Sequence, residues 1–168
     1  VGSGGGVSNG LNFDGTNDRI TIPHDSSFNA TSAFTVEAWI KTSYSGPYKY
    51  VTTKSDDSFY FAVNSGKAAF YLNNLGGWLE SSVAVNDDQW HHIAGTYNGS
   101  AMKIYVDGIE RGSLTTSGSI STGSSPVEIG SRGNADFFPG SIAEVRFWNV
   151  ARTADQLNAT KAFYNNSD

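Results

Sequence analysis

The chain has 168 residues, no cysteine, and 11 Lys+Arg against 16 Asp+Glu, for a net charge of −5. That length suits one domain that buries a core without staples, and the missing thiols exclude disulfides and thiolate metal sites. No Lys/Arg cluster is present and no apolar run approaches the ~18 residues of a membrane span, which argues against nucleic acid, anionic membrane and membrane insertion.

The opening VGSGGGVSNG reads as a flexible linker or vector-derived remnant over residues 1–6. A single domain over 7–168 follows, expected to be a monomeric module covalently joined to others in a longer protein. LNFDGTNDRI (11–20) packs Asp14, Asn17 and Asp18 around a glycine. Those three oxygen-bearing side chains are candidate ligands for a structural calcium. The competing reading is an Asx turn, in which side-chain oxygens accept from nearby backbone N–H groups. FTVEAWIK (34–41) then alternates Phe34, Val36, Ala38 and Ile40 against Thr35, Glu37, Trp39 and Lys41. FYFAV sends Phe59, Phe61 and Val63 inward, NSGK (64–67) turns the chain, and AAFYLN returns with Ala68, Phe70 and Leu72 on one face. WHHIAGTY (90–97) is a further strand. MKIYV alternates up to Asp107-Gly108, the strongest hairpin signal in the chain, because both central residues of a type I′ turn need positive φ. PVEIG (126–130) and SIAEVRFWNV (141–150) complete roughly a dozen strands. TADQLNATKAF (153–163) is the one helical stretch, with Thr153 as N-cap and Gln156 at the capping-box position.

Turn signals every 8–12 residues predict an all-β sandwich or jelly roll of two antiparallel sheets with one short C-terminal helix. Aromatics at 13% and charged residues at only 16% fit a core that uses many rings. Trp39, Tyr60, Tyr71 and Tyr105 fall on the strand faces where polar neighbours sit. Such rings either pack under a loop or offer a flat apolar surface to a ligand.

LNFDGTNDRITIP, FTVEAWIKT, QWHHIAGTYNGSAMKIYVDGIERG, PVEIGSR and FPGSIAEVRFWNVARTADQLNA occur in that order. The series resembles the LamG-like jelly-roll family of the concanavalin A-like superfamily, related to laminin G domains and pentraxins, over about residues 7–162. The resemblance implies two antiparallel sheets, one of them concave, with loops gathered at a rim. It does not fix one function, since members include glycan-binding modules, adhesion modules and parts of enzymes. Many relatives carry a structural calcium, and members commonly have an Asp where this chain has Ala143.

Catalysis finds no support in the spacing. The retaining glycosidases of the superfamily carry E-x-D-x-E or E-x-D-x-x-E on one strand, which aims paired carboxylates at a cleft. Here Glu37, Glu80, Glu128 and Glu144 have no partner at i+2 or i+4. His91 and His92, as strand neighbours, point to opposite faces and cannot chelate one ion together. No catalytic residue is assigned. Glu144 and Arg146 share a strand face as a surface ion pair.

Three loop regions place aromatics among amides and charges, the mixture that sugar recognition needs. They offer Tyr48 with Asp56 and Asp57; Trp78 with Asn73 and Asn74; and Phe137 with Arg132, Asn134 and Asp136. Tyr60 joins them from its strand. Phe138 belongs to the core. The expected function is a non-catalytic carbohydrate-binding module, secreted or at the cell surface, recognising a polysaccharide by aromatic stacking and hydrogen bonds. It would be appended to a secreted microbial polysaccharide-degrading enzyme or adhesin. The alternatives are a protein-adhesion or spacer module, and a lyase or hydrolase whose site leaves no signature.

Overall fold

Period-2 alternation in FTVEAWIK, FYFAVN, KAAFYL and WHHIAGTY commits each strand to one buried face, and the buried faces meet between two sheets. The computed structural model describes residues 10–55 and 58–162. In chain order its strands are β1 (Leu11–Asp14), β2 (Ile20–Ile22), β3 (Phe34–Lys41), β4 (Lys49–Lys54), β5 (Phe59–Asn64) and β6 (Lys67–Leu72). They continue as β7 (Leu79–Ala84), β8 (Trp90–Tyr97), β9 (Ala101–Val106), β10 (Ile109–Thr115), β11 (Val127–Ile129) and β12 (Pro139–Trp148), and the helix α1 (Ala154–Ala162) follows. One sheet has the order β1-β12-β3-β8-β9-β10 and the other β2-β11-β4-β5-β6-β7. Every strand pair is antiparallel. This is the predicted all-β jelly-roll sandwich with one C-terminal helix.

Between the sheets lie Val36, Ala38 and Ile40 of β3, Phe59, Phe61 and Val63 of β5, Phe70 and Leu72 of β6, and Ile93, Met102 and Ile104. Each of these side chains larger than alanine contributes about 1.5–3 kcal/mol by leaving water. Phe138 joins them, fully buried as expected. Gly95 on β8 is demanded by close approach: a Cβ there would come within 2.6 Å of the Phe70 ring across the sandwich. Both tight hairpins form as the sequence predicts. Ser65 and Gly66 have φ of 50° and 77°, and Asp107 and Gly108 have φ of 54° and 80°, the type I′ pattern that matches strand twist.

Part of the outer face of the first sheet is covered. Leu157 of α1 is fully buried there against Ala94 and Tyr105. Lys161 Nζ donates to the Asp107 carbonyl at 2.7 Å, and Asn158 Nδ2 to the Gly108 carbonyl at 3.3 Å. The capping box forms: Gln156 N–H donates to Thr153 Oγ1, and Thr153 N–H to Gln156 Oε1. Beneath the segment leading to α1 sits Glu37, placed by alternation on a polar face but wholly buried. It accepts from Trp148 Nε1 at 2.9 Å and Arg152 Nη1 at 3.3 Å, and lies 3.1 Å from His92 Nε2. Burial alone would raise its pKa, yet the His92 and Trp148 hydrogen bonds and the Arg152 charge hold it below the usual value. The polar side of the sheet is therefore a second, polar core under a strap.

His91 closes the end of β8. Its Nδ1 lies 2.8 Å from Asp107 Oδ2 and its Nε2 3.0 Å from Asp87 Oδ1. The Asp107 hydrogen bond, more than offsetting burial, raises the His91 pKa above 6.5. Asp107 is lowered: burial opposes this, but His91 and the His92 N–H outweigh it, while Asp87 is lowered chiefly by the Gln89 N–H. A raised histidine stabilises fully below its unfolded value of about 6.5 and loses this as pH rises through its folded value. Lowered carboxylates stabilise above their unfolded value near 4 and lose this as pH falls. The contribution of this cluster is thus greatest between about pH 4 and 6.5. Melting temperature measured across pH should fall on the alkaline side of that window. His91→Gln should flatten the alkaline limb, and a limb unchanged in that variant would refute the assignment.

Candidate functional site

The other sheet leaves its outer face open, and its sequence explains what lies there. The Ser65-Gly66 turn sets the register of β5 on β6, which places Tyr60 opposite Tyr71 and Ala62 opposite Ala69. A bulge between Tyr50 and Thr52 keeps Val51 in the core while turning Tyr50 outward opposite Ala62. Glu80 of β7 lies opposite Ala69. Two alanines therefore form a shallow floor walled by Tyr50, Tyr60, Tyr71 and Glu80.

Trp78, from the loop before β7, packs against that floor. Its ring centroid lies 4.3 Å from Tyr48 at an interplanar angle of 31°, 5.3 Å from Tyr71, 6.1 Å from Tyr60 and 6.4 Å from Tyr50. It does not cap the end of the sandwich; it lies on the sheet, half-buried, with tyrosines around it. Across the same floor the Arg132 guanidinium stands 5.8 Å from the Tyr50 centroid and 5.4 Å from Tyr60, a cation–π arrangement. At the rim, Asn64 Nδ2 donates to Glu80 Oε1 at 2.6 Å, and the Tyr48 hydroxyl lies 3.5 Å from the same oxygen. Burial, then the Glu80 charge, raises the Tyr48 pKa, and burial raises that of Tyr50 despite Arg132. Both phenols stay neutral and able to donate.

Against this geometry stand the comparisons with known proteins. A laminin G-type family model, described as concanavalin A-like lectin/glucanases superfamily, matches residues 14–158. The chain belongs to the concanavalin A-like lectin/glucanase superfamily. A curated relative, the sushi, von Willebrand factor type A, EGF and pentraxin domain-containing protein 1 of Rattus norvegicus, is 25% identical over 143 residues, or 76% of this chain. This chain spans 4% of that relative's length. Among solved structures, the CBM40 domain of the Ruminococcus gnavus IT-sialidase superposes with a TM-score of 0.73 at 17% identity, covering 92% of this chain and 97% of that one. Domain 4 of AbnA, a GH43 extracellular arabinanase from Geobacillus stearothermophilus, in complex with arabinotriose, superposes with a TM-score of 0.65 at 18% identity, covering 93% and 84%. At these identities the structures establish the shared fold.

The superfamily fold brings together Trp78, Tyr48, Tyr60 and Arg132 of the residues singled out from sequence. Tyr60, at 8% exposure, supports the platform rather than offering a face. Asp136 is near, its carboxylate 3.7 Å from Lys49 Nζ and its carbonyl accepting from Tyr50 N–H at 3.3 Å. The remaining residues are placed elsewhere. Asn73 N–H donates to the Ser58 carbonyl at 2.8 Å, and Asn74 is engaged with Ser121 of a neighbouring loop. Asn134 accepts from Arg19, and Phe137 is half-buried beside the core residue Phe138. Asp56 and Asp57 lie outside the described residues. Sequence reasoning missed Tyr50 and Glu80 as members of the face. The signal for Tyr50 was its spacing of two from Tyr48; for Glu80 it was the run from Trp78 into a strand.

The Asp14 turn is held by its own backbone. Asp14 Oδ1 accepts from Thr16 N–H at 2.7 Å and Asn17 N–H at 3.3 Å, and Asp18 Oδ2 accepts from Asp14 N–H at 3.0 Å. This is the Asx turn. Glu144, with φ of 54° in a bulge of β12, accepts from Arg146 Nη2 at 2.8 Å as the expected ion pair.

Proposed function

We propose that this chain is a non-catalytic carbohydrate-binding module that recognises a neutral polysaccharide on the outer face of β4, β5 and β6. The observation that carries the reading is the aromatic floor: Trp78 stacked on Tyr48 and flanked by Tyr50, Tyr60 and Tyr71. Trp78, Tyr48 and Tyr71, half-buried over the buried Tyr50 and Tyr60, give sugar C–H faces an apolar seat already in place, so little ordering entropy is lost on binding. Glu80, Asn64 and the tyrosine hydroxyls at its margin suit sugar hydroxyls. A neutral ligand is favoured because the nearby cations are engaged within the protein. Lys49 faces Asp136, the buried Lys54 donates to the Gly123 carbonyl, and Arg132 lies over two tyrosine rings. The AbnA domain in complex with arabinotriose and the CBM40 of a sialidase support a sugar ligand and attachment to a glycan-processing enzyme.

The carboxylates support the non-catalytic reading. Glu37 and Glu144 are held by arginines, Glu110 by Lys103, Glu128 by the Ser131 hydroxyl and Glu80 by Asn64. The test is electrophoresis through gels containing xylan, arabinan, mannan or mixed-linkage β-glucan. Wild type should be retarded by at least one polymer, and Trp78→Ala clearly less by that polymer. Mobility unaffected by every polymer, or equal retardation of both proteins, would overturn the reading, and polymer shortening would restore an enzyme.

Calcium at Asp14, Asn17 and Asp18 is a separate reading that the geometry supports less. One oxygen of each carboxylate is engaged by backbone N–H, and three side chains fall short of the six to eight oxygens calcium takes. The described residues contain no group of three His, Cys, Asp or Glu fit for a metal. Chelator should leave the melting temperature unchanged; a drop would install the ion.

A further inference from the structure

A second cleft lies on the opposite sheet. Asn12 of β1, Ser141 of β12, Lys41 of β3 and Trp90 of β8 are successive cross-strand partners. Their neighbours Phe13, Ile142 and Ile40 point into the core, so alternation puts this row on the outer face. With strands about 4.8 Å apart it runs for roughly 14 Å. Beyond the strand ends Ser43 and Asp88 continue the wall, and the cleft encloses about 530 Å³. Gly10 passes so close to the half-exposed Trp90 indole that a Cβ there would lie 2.5 Å from its edge, which holds the ring in place beside the cleft.

The polar groups that line this cleft contrast with the engaged charges elsewhere in the sandwich. Glu37, Glu80, Lys49, Lys54 and Lys103 all have internal partners. Among the described residues, neither the Lys41 ammonium nor the Asp88 carboxylate meets a partner. Asn12 Oδ1 has one long contact, 3.5 Å from the Ser141 hydroxyl. An ammonium, a carboxylate, an amide and hydroxyls thus converge on one indole with their hydrogen-bonding capacity unspent. The opposite charges of Lys41 and Asp88 cancel, which disfavours both polyanions and polycations. We propose that this cleft is a second saccharide-binding site, for an uncharged sugar whose ring packs on Trp90 while its hydroxyls bond Lys41, Asp88 and Asn12. It stands on its own observations, independent of the Trp78 face. The two sites lie on opposite sheets, so a module that fills both joins two glycan chains.

The test is ¹⁹F NMR of the full chain labelled with 5-fluorotryptophan. The four tryptophans give four signals, assigned by single Trp→Phe variants. Xylohexaose, arabinohexaose, mannohexaose and cellohexaose are titrated separately. The Trp90 signal should shift saturably with at least one of them. In Lys41→Gln/Asp88→Asn that affinity should fall about tenfold or more, the loss of two charge-assisted hydrogen bonds. Asn is chosen because position 88 has φ of 61°, which Asn tolerates. A Trp90 signal unmoved by all four sugars, or equal affinity in the double variant, would overturn the second site. Movement of Trp78 alone would uphold the first face and reject this one; movement of Trp90 alone would do the reverse.

Discussion

Glu37→Ala should destabilise the protein by about 3–5 kcal/mol, the cost of breaking a buried ion pair from one side. The carboxylate is fully buried and serves Arg152, Trp148 and His92 together. Removing it leaves the Arg152 guanidinium, which sits 4.2 Å from the Trp148 ring, with its charge uncompensated under the strap. The loss should extend to α1, because Arg152 Nη2 also donates to the Gln156 carbonyl and Arg152 N–H to Thr35 Oγ1. Urea unfolding measures the effect. A companion variant, Glu80→Ala, removes a carboxylate at the open rim and should cost about 1 kcal/mol. Equal losses in the two variants would contradict the distinction between a strap and a rim.

Trp78→Ala should remove polysaccharide binding at this face while leaving a folded sandwich. A central aromatic anchor is worth about 2 kcal/mol or more in binding, roughly thirtyfold in affinity. Here truncation does more, because it unseats Tyr48, whose ring rests on the indole. The structural cost is modest: Trp78 is half-buried outside the core between the sheets, and no main-core residue packs on it. Near-native melting with sharply weakened gel retardation is the expected pair of results. Undiminished binding would move the site off this face. Tyr71→Phe keeps the ring and should retain most of the retardation, which separates stacking from hydroxyl chemistry.

Much of this was legible in the sequence because it follows from short-range geometry. Alternation placed Val36, Ala38 and Ile40 inside, the Asp107-Gly108 pair dictated its hairpin, and Thr153 with Gln156 formed the expected cap. The family segments set the sheet architecture, and the Asp14 turn has the Asx geometry its residues suggested. The rest depended on contacts between distant parts of the chain. Glu37 reads as an outward polar residue until the strap carrying Trp148 and Arg152 folds over it, more than a hundred positions later. Trp78 read as a loop aromatic because alternation stops at loops; only the Ala62–Ala69 pairing shows the floor it covers. Tyr50 escaped because a bulge, invisible to a strict period of two, turns it outward. Asn74 and Asn134 looked available to a ligand because their partners, Ser121 and Arg19, lie in other loops.

The central claim is that a neutral glycan stacks on the aromatic face that Trp78 forms with the tyrosines around it. Its most direct test is amide chemical-shift mapping of the wild-type chain, titrated with an oligosaccharide of whichever polymer retards it. The account predicts saturable shifts concentrated at Tyr50, Ala62, Ala69, Trp78 and Glu80. Shifts confined to residues outside that face, or none at saturating sugar, would contradict it.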